Sequence, residues 1–282
     1  MPVSLSISAE ELEKLKNYIL QTGVKRVPTT NEYELLRLRD GEVNVIVYRS
    51  GKLVHNNSDA SRNLIDAIIA KQYDYEHVLG TDEVGKGEWY GPLVVVCASL
   101  TPNDVAKFRK IGVRDSKTLG ATKIKKLAEE IRKSGILWKE VKLMPETYNE
   151  LFTEFQRENK GLNDLLAWAH IAAINHVLAF GSLSGKTKII IDKFDVRKTD
   201  LRLERANITE RDFEIIQSSK GDLEIPVSVA SILAKDLFEL AVADLGRQFK
   251  VDLKTAKPED IDRKVLPIIA KTHFKNIKAL LS

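Results

Sequence analysis

The chain has 282 residues, 43% hydrophobic and 30% charged, with a formal net charge of +4. That composition is ordinary for a soluble protein and long enough for one large or two modest domains, each with its own core. A single cysteine, Cys97, within the apolar run 93–98, excludes an internal disulfide and a cysteine-based zinc cluster. No run approaches the roughly 20 apolar residues that span a bilayer, and the N-terminus lacks the basic-then-apolar order of a signal peptide, so a cytoplasmic protein is expected.

Ser8-Ala9-Glu10-Glu11 reads as a capping box, and Leu12, Leu15, Tyr18 and Ile19 recur at helical spacing, which predicts a helix over about 9–22 ended by Gly23. Strands follow at about 33–39, 43–48 and 52–55, joined by Asp40-Gly41 and Ser50-Gly51 hairpin turns. A helix at about 60–71 completes a small α+β domain, 1–76, and Gln72-Tyr73-Asp74 reads as a linker. From 77 to 282 strand and helix alternate. Strands are predicted at about 77–82, 91–100, 137–144, 187–192 and 212–217, and helices near 103–110, 121–133, 146–158, 163–180, 226–247, 258–270 and 273–281. That order is an α/β fold, a sheet covered by helices. Residues 1–76 carry ten Lys plus Arg against eleven Asp plus Glu, and the remainder 34 against 29, so attraction to phosphate lies mainly in the second part.

Two strand ends carry acids. Leu79-Gly80-Thr81-Asp82-Glu83 leads into Val84-Gly85-Lys86-Gly87, whose glycines allow a turn and a backbone open to a ligand. Neighbouring residues on a regular strand face opposite ways, so the Asp82-Glu83 pair requires the strand to be ending. Lys188-Ile189-Ile190-Ile191-Asp192 repeats the pattern, and acids beyond the carboxyl ends of two strands converge on one site. Asp222, ahead of the helix bearing Ser228 to Lys235, is a third candidate. Carboxylates without His or Cys favour a hard cation, Mg²⁺ or Mn²⁺. Two such ions about 4 Å apart activate a water and stabilise a leaving oxygen in phosphodiester hydrolysis. Each acid also has a plain structural role open to it: Asp192 in a strand-to-loop turn, Asp222 as a helix cap, Asp236 as a solvent-facing helix residue.

Asp82-Glu83-Val84-Gly85-Lys86-Gly87, Asp115-Ser116-Lys117-Thr118-Leu119, the strand ending at Asp192, and Gly221-Asp222 followed by Ser228-Val229-Ala230-Ser231-Ile232-Leu233-Ala234-Lys235 resemble, in order, the motifs of type 2 ribonucleases H, the family of ribonucleases HII and HIII. The resemblance covers about 77–282, and Glu88-Trp89-Tyr90-Gly91-Pro92 and Ala270-Lys271-Thr272-His273-Phe274-Lys275-Asn276 resemble the HIII branch more than HII. It implies an RNase H-like mixed sheet flanked by helices, preceded by a substrate-binding domain like half of a TATA-binding protein, with Tyr48-Arg49-Ser50-Gly51-Lys52 its most HIII-like turn. It further implies that Asp82, Glu83, Asp192 and Asp222 hold two Mg²⁺ or Mn²⁺ ions. Water then cleaves the RNA strand of an RNA/DNA hybrid, leaving a 5′-phosphate and a 3′-hydroxyl. The Gly85-Lys86-Gly87 backbone would face the 2′-hydroxyl in the minor groove, and Ser116, Lys117, Ser231 and Lys235 would position phosphates. No obligate protein partner is implied.

Lys86 departs from the family, standing where HII commonly has Arg and HIII Thr, and Asp222 stands where HIII often has Glu. No His-Lys-Gly-Tyr element is present, which implies weak preference for a single embedded ribonucleotide. Two alternatives stay open: HII-like incision at isolated ribonucleotides, and a hybrid-binding protein without catalysis.

Other signals are weaker. Gly181-Ser182-Leu183-Ser184-Gly185-Lys186-Thr187 imitates a P-loop, but Phe180 fills the required glycine position and the segment opens a strand instead of a helix. His170 and His176 read as packed residues of their helix, whereas His273 is open between packing or a substrate edge and chemistry. Arg37 and Arg39 share one strand face, and Arg49 and Lys52 flank the next turn, a nucleic-acid face or a solvated one. Lys123-Ile124-Lys125-Lys126 reads as exposed helix surface.

Overall fold

A computed structural model describes residues 2–70, 75–113, 116, 119–181, 183, 185–209, 213–218 and 224–282. The chain divides into two compact units, 1–74 and 75–282.

In the first unit, β1 (Val3–Ser6), α1 (Ala9–Thr22), β2 (Glu34–Asp40), β3 (Val43–Tyr48), β4 (Lys52–His55) and α2 (Asp59–Ala70) form an antiparallel sheet in the order β1-β4-β3-β2 with two helices. The capping box at Ser8 and Glu11 closes in both directions, at 3.1 and 2.7 Å, and satisfies two backbone donors at the start of α1. Alternation sends Leu36, Leu38, Val43, Val45, Val47 and Leu53 onto one face, where they pack with Leu15, Ile19, Leu64, Ile65 and Ile68 of the helices. A bulge at Leu35 shifts the register between Glu34 and Leu36. It brings Glu34 onto the opposite face with Arg37, which donates to it at 2.5 and 3.0 Å. This bonding with Arg37, together with the Thr30 backbone N–H, holds the Glu34 carboxyl down at about 2. Arg37 is therefore engaged inside its own sheet, while Arg39, Arg49 and Lys52 are exposed. β1, which sequence reading misses, is a four-residue edge paired to β4.

The second unit holds a five-stranded sheet of β5 (His77–Val84), β6 (Leu93–Leu100), β7 (Leu137–Leu143), β8 (Thr187–Asp192) and β9 (Phe213–Ser218), ordered β7-β6-β5-β8-β9. β5 lies at its centre, antiparallel to β6 and parallel to β8. The helices are α3 (Pro102–Lys110), α4 (Ala121–Lys133), α5 (Pro145–Arg157), α6 (Leu162–Phe180), α7 (Val196–Arg205), α8 (Ile225–Phe249), α9 (Leu266–Ile269) and α10 (Lys275–Leu281). Leu79, Val95, Cys97, Ile189 and Ile191 bury their side chains with Leu165, Ala169 and Ala173 of α6. α8 packs against the same two central strands, β5 and β6. α8 sits so close that a Cβ on Gly80 would lie 2.2 Å from the Pro226 carbonyl carbon.

Three expectations change. α7 is absent from the sequence reading because only Thr199 and Leu203 of its ten residues are buried, which leaves a faint apolar stripe. The helix expected over 258–270 is instead a 3₁₀ turn, Pro258–Asp260, and the short α9, separated by a segment in which Asp262 accepts from the Lys264 N–H at 2.8 Å. Asp236 does not face solvent; it is 6% exposed and paired with Arg132 at 2.7 Å. Among the described residues no helix is long and apolar enough to cross a membrane.

Gly80→Ala is expected to destabilise the protein by about 3 kcal/mol, the upper end for over-packing, because the new methyl meets backbone. Gly87→Ala, where a Cβ meets nothing within 4 Å, is expected to be near neutral. Urea denaturation midpoints compare the two.

Candidate active site

β5 does not end at Asp82. Its pairing with β6 continues through Glu83 to Val84, whereas its pairing with β8 stops at Thr81. The two acids thus sit on a strand that is still straight but has lost one neighbour. Side-chain oxygens of Asp82, Glu83 and Asp192, the last residue of β8, all come within 4.8 Å of one another at that open edge.

Each acid of β5 is held by the helix on its own face. Asp82 receives a hydrogen bond from Ser231 of α8, and Ser231 lies 2.7 Å from the Ser116 hydroxyl. Asp82 also accepts the Glu83 N–H at 2.8 Å. Glu83 Oε2 lies 3.1 Å from Nε2 of His170 on α6, and its Oε1 2.6 Å from Lys86 Nζ. Burial, the Glu83 charge and the Asp192 charge together push the Asp82 carboxyl above the usual carboxylate range, against the Ser231 bond. Burial pushes Glu83 the same way, but the bonds and charges of His170 and Lys86 outweigh it and hold Glu83 below that range. Three carboxylates this close demand positive charge or a proton among them. An oxygen-only donor set of this kind fits a hard divalent cation.

The loop after β5 is built for close approach. Gly85 has φ +97°, and a Cβ there would lie 2.2 Å from the Pro92 carbonyl oxygen, so glycine is required on both counts. Gly87 faces open space and Trp89 is 43% exposed. A segment from the end of the chain clasps this loop. Lys271, fully buried, donates from Nζ to the carbonyls of Glu88 at 3.0 Å and Gly91 at 2.7 Å. Its N–H bonds the Trp89 carbonyl, and the Gly91 N–H bonds that of Ile269. Asn149 of α5 ties Pro267, Ala270 and Thr272 behind it. His273 packs among the rings of Tyr148, Phe152 and Phe274, with centroids 4.3–5.4 Å away.

The structure brings Asp82, Glu83 and Asp192 together as expected from the strand-end pattern. Asp222 and Lys117 lie outside the described residues. Ser231 is buried and turned to Asp82, and Ser116 to Ser231, so their hydroxyls serve the acid cluster. Lys235 is half-buried and paired with Glu239 at 3.3 Å. Lys86, expected to act through its backbone, brings its side chain to Glu83. Sequence reading gives no individual site role to two residues that shape the site. His170 looked like packing because its neighbours are apolar. Lys271 follows the run Pro267-Ile268-Ile269-Ala270, and a lysine ending such a run was the available signal.

A family model described as Ribonuclease HII matches residues 79–279. Ribonuclease HIII of Protochlamydia amoebophila is 30% identical over 259 residues, covering 83% of this chain and 82% of that protein. Ribonuclease HIII of Chlamydia pneumoniae is 31% identical over 307 residues, covering 99% and 97%. A crystal structure of Bst-RNase HIII in complex with Mn²⁺ shares the fold, with TM-score 0.62 at 22% identity over 100% of this chain and 99% of that one. The chain belongs to the type 2 ribonuclease H family and is a ribonuclease H. Within that family its similarity is to the ribonucleases HIII.

Burial pushes the Lys271 ammonium down to about 7 from its ordinary 10.5, with the Glu88 charge opposing. Between those values the unfolded chain binds the extra proton, so this residue's contribution raises stability as pH rises through the window. Wild type is expected to gain stability relative to Lys271→Met from pH about 7 upward, read from urea titrations of both proteins across that range.

Proposed function

We propose that this chain hydrolyses the RNA strand of RNA/DNA hybrids as a ribonuclease HIII, using Mg²⁺ or Mn²⁺ held by Asp82, Glu83 and Asp192, with Asp222 as the fourth acid, and leaving 5′-phosphate and 3′-hydroxyl ends. The observation that carries this is the convergence of three carboxylates within 4.8 Å beside a glycine-lined loop. Two divalent ions bound there would supply an activated water and neutralise charge on the leaving oxygen.

The protein's own residues do the rest. Glu83, held in its ionised form by His170 and Lys86, would offer a cation its full charge, and a bound cation would favour the ionised form of Asp82 as well. The Gly85-Lys86-Gly87 backbone, free of side-chain obstruction at Gly87, meets the minor groove, where a 2′-hydroxyl separates RNA from DNA. Trp89 beside it offers an exposed ring edge to the sugar. The N-terminal domain, 1–76 by sequence, adds affinity through the sheet face bearing Arg39 and Lys52 and the Arg49 turn. These contacts orient the duplex without reading sequence. Arg37, spent on Glu34, braces that face. The HIII reading over HII rests on the named relatives and on the N-terminal sheet domain.

Asp82→Asn keeps size and removes a cation-binding charge; cleavage is expected to fall by at least about a thousandfold with hybrid affinity retained, and near-normal turnover would sink the site. Comparing a long hybrid with a duplex holding one ribonucleotide tests subtype, and preference for the latter would point to HII-like incision.

Arg39→Ala combined with Lys52→Ala is expected to raise the hybrid KM several-fold, flatten its salt dependence by about two counterions and leave kcat unchanged. An unaltered salt slope would remove the N-terminal face from the substrate path.

A further inference from the structure

His170 is wholly buried in the middle of α6, yet both its ring nitrogens are engaged by β5. Nδ1 lies 2.9 Å from the hydroxyl of Thr81, itself fully buried, and Nε2 lies 3.1 Å from Glu83 Oε2. Thr81 and Glu83 are two residues apart on one strand and so share its α6 face. A carboxylate only accepts, so Nε2 carries a proton and donates to Glu83, while the Thr81 hydroxyl, able to donate or accept, bonds Nδ1. The threonine thereby fixes the orientation of the ring that the glutamate needs.

The same ring stacks on Phe194, two residues beyond Asp192, with centroids 5.1 Å apart and planes at 28°. The start of α6 is fastened to that stretch again by Asp164–Lys198 at 2.5 Å and Asn163–Asp195 at 3.1 Å. One helix therefore braces both strand ends that carry the acids.

Resting on the metal-binding reading of the acid cluster, we propose that His170, oriented by Thr81, is a positioning residue that locks Glu83 Oε2 so that Oε1 alone is presented to a cation. Lys86, half-exposed, holds Oε1 from the solvent side and can swing away. His170, enclosed by α6, β5 and Phe194, cannot.

The test is Mn²⁺ titration of the full-length protein by calorimetry, beside steady-state hybrid cleavage. His170→Phe keeps the ring stack and volume but removes both hydrogen bonds. It is expected to weaken Mn²⁺ binding and lower kcat by about 10–100-fold, with the hybrid KM within about twofold. His170→Gln, which returns one N–H toward Glu83, is expected to fall between it and wild type. Thr81→Val, nearly isosteric, is expected to lose a few-fold in both. A folded His170→Phe with wild-type Mn²⁺ affinity and kcat overturns the proposal. If that variant does not fold, Thr81→Val decides, and an unchanged Mn²⁺ affinity there overturns it equally. Wild type that binds no Mn²⁺ defeats the underlying metal reading and this inference with it, whereas an unchanged His170→Phe beside a Mn²⁺-binding wild type defeats this inference alone.

Discussion

Consecutive residues of an extended strand face opposite ways, and Asp82 and Glu83 lie on a strand that stays paired to β6 through both of them. Each acid must therefore be supported from a different side of the sheet. Ser231 of α8 bonds one and His170 of α6 the other. The acids meet only because β8 stops short, so both carboxylates reach past its last residue, Asp192, at the open edge. The two long, mostly buried helices α6 and α8 hold this arrangement as well as covering the sheet. A buried carboxylate without a partner is strongly disfavoured, which is why polar residues are embedded where the helices are otherwise apolar.

The same demand explains the closest contact of helix and sheet. Ser231 reaches Asp82 because the first turn of α8 lies almost on β5, and Gly80 is what permits that approach. Gly80 and Asp82 lie two positions apart on the strand, so both face α8: the glycine admits the helix and the aspartate takes its hydroxyl. Gly85 repeats the logic after the strand, where a left-handed φ and the nearby Pro92 carbonyl leave no room for a side chain. Lys271 then fixes the outer part of the loop through two carbonyls.

Much of this was legible in the sequence, for identifiable reasons. Ser8 and Glu11 announce a helix start by chemistry that needs no tertiary contact, and Asp40-Gly41 and Ser50-Gly51 announce hairpins in the same way. Apolar runs ending in Asp82 and Asp192 marked the acid pair, since a buried strand needs no other context to be recognised. Features that depend on a partner distant in sequence were not legible. α7 is too polar to show a stripe, β1 is defined only by β4, and Asp236 is buried because Arg132 of α4 meets it. His170 and Lys271 belong to this class: a histidine among alanines and isoleucines, and a lysine after an apolar run, look like packing until Glu83 and the Gly91 carbonyl are seen beside them.

The ion pair of Lys86 with Glu83 has a consequence for which cations the site favours. An ion that takes Oε1 meets an oxygen already bonded to an ammonium 2.6 Å away, so its arrival is a replacement of one charge by another. A monovalent ion in that place leaves the local charge as it was and recovers little for its lost water. A divalent ion adds a full unit of charge among three close carboxylates, where attraction is only partly screened. A lysine paired to that oxygen would thus favour divalent over monovalent ions there.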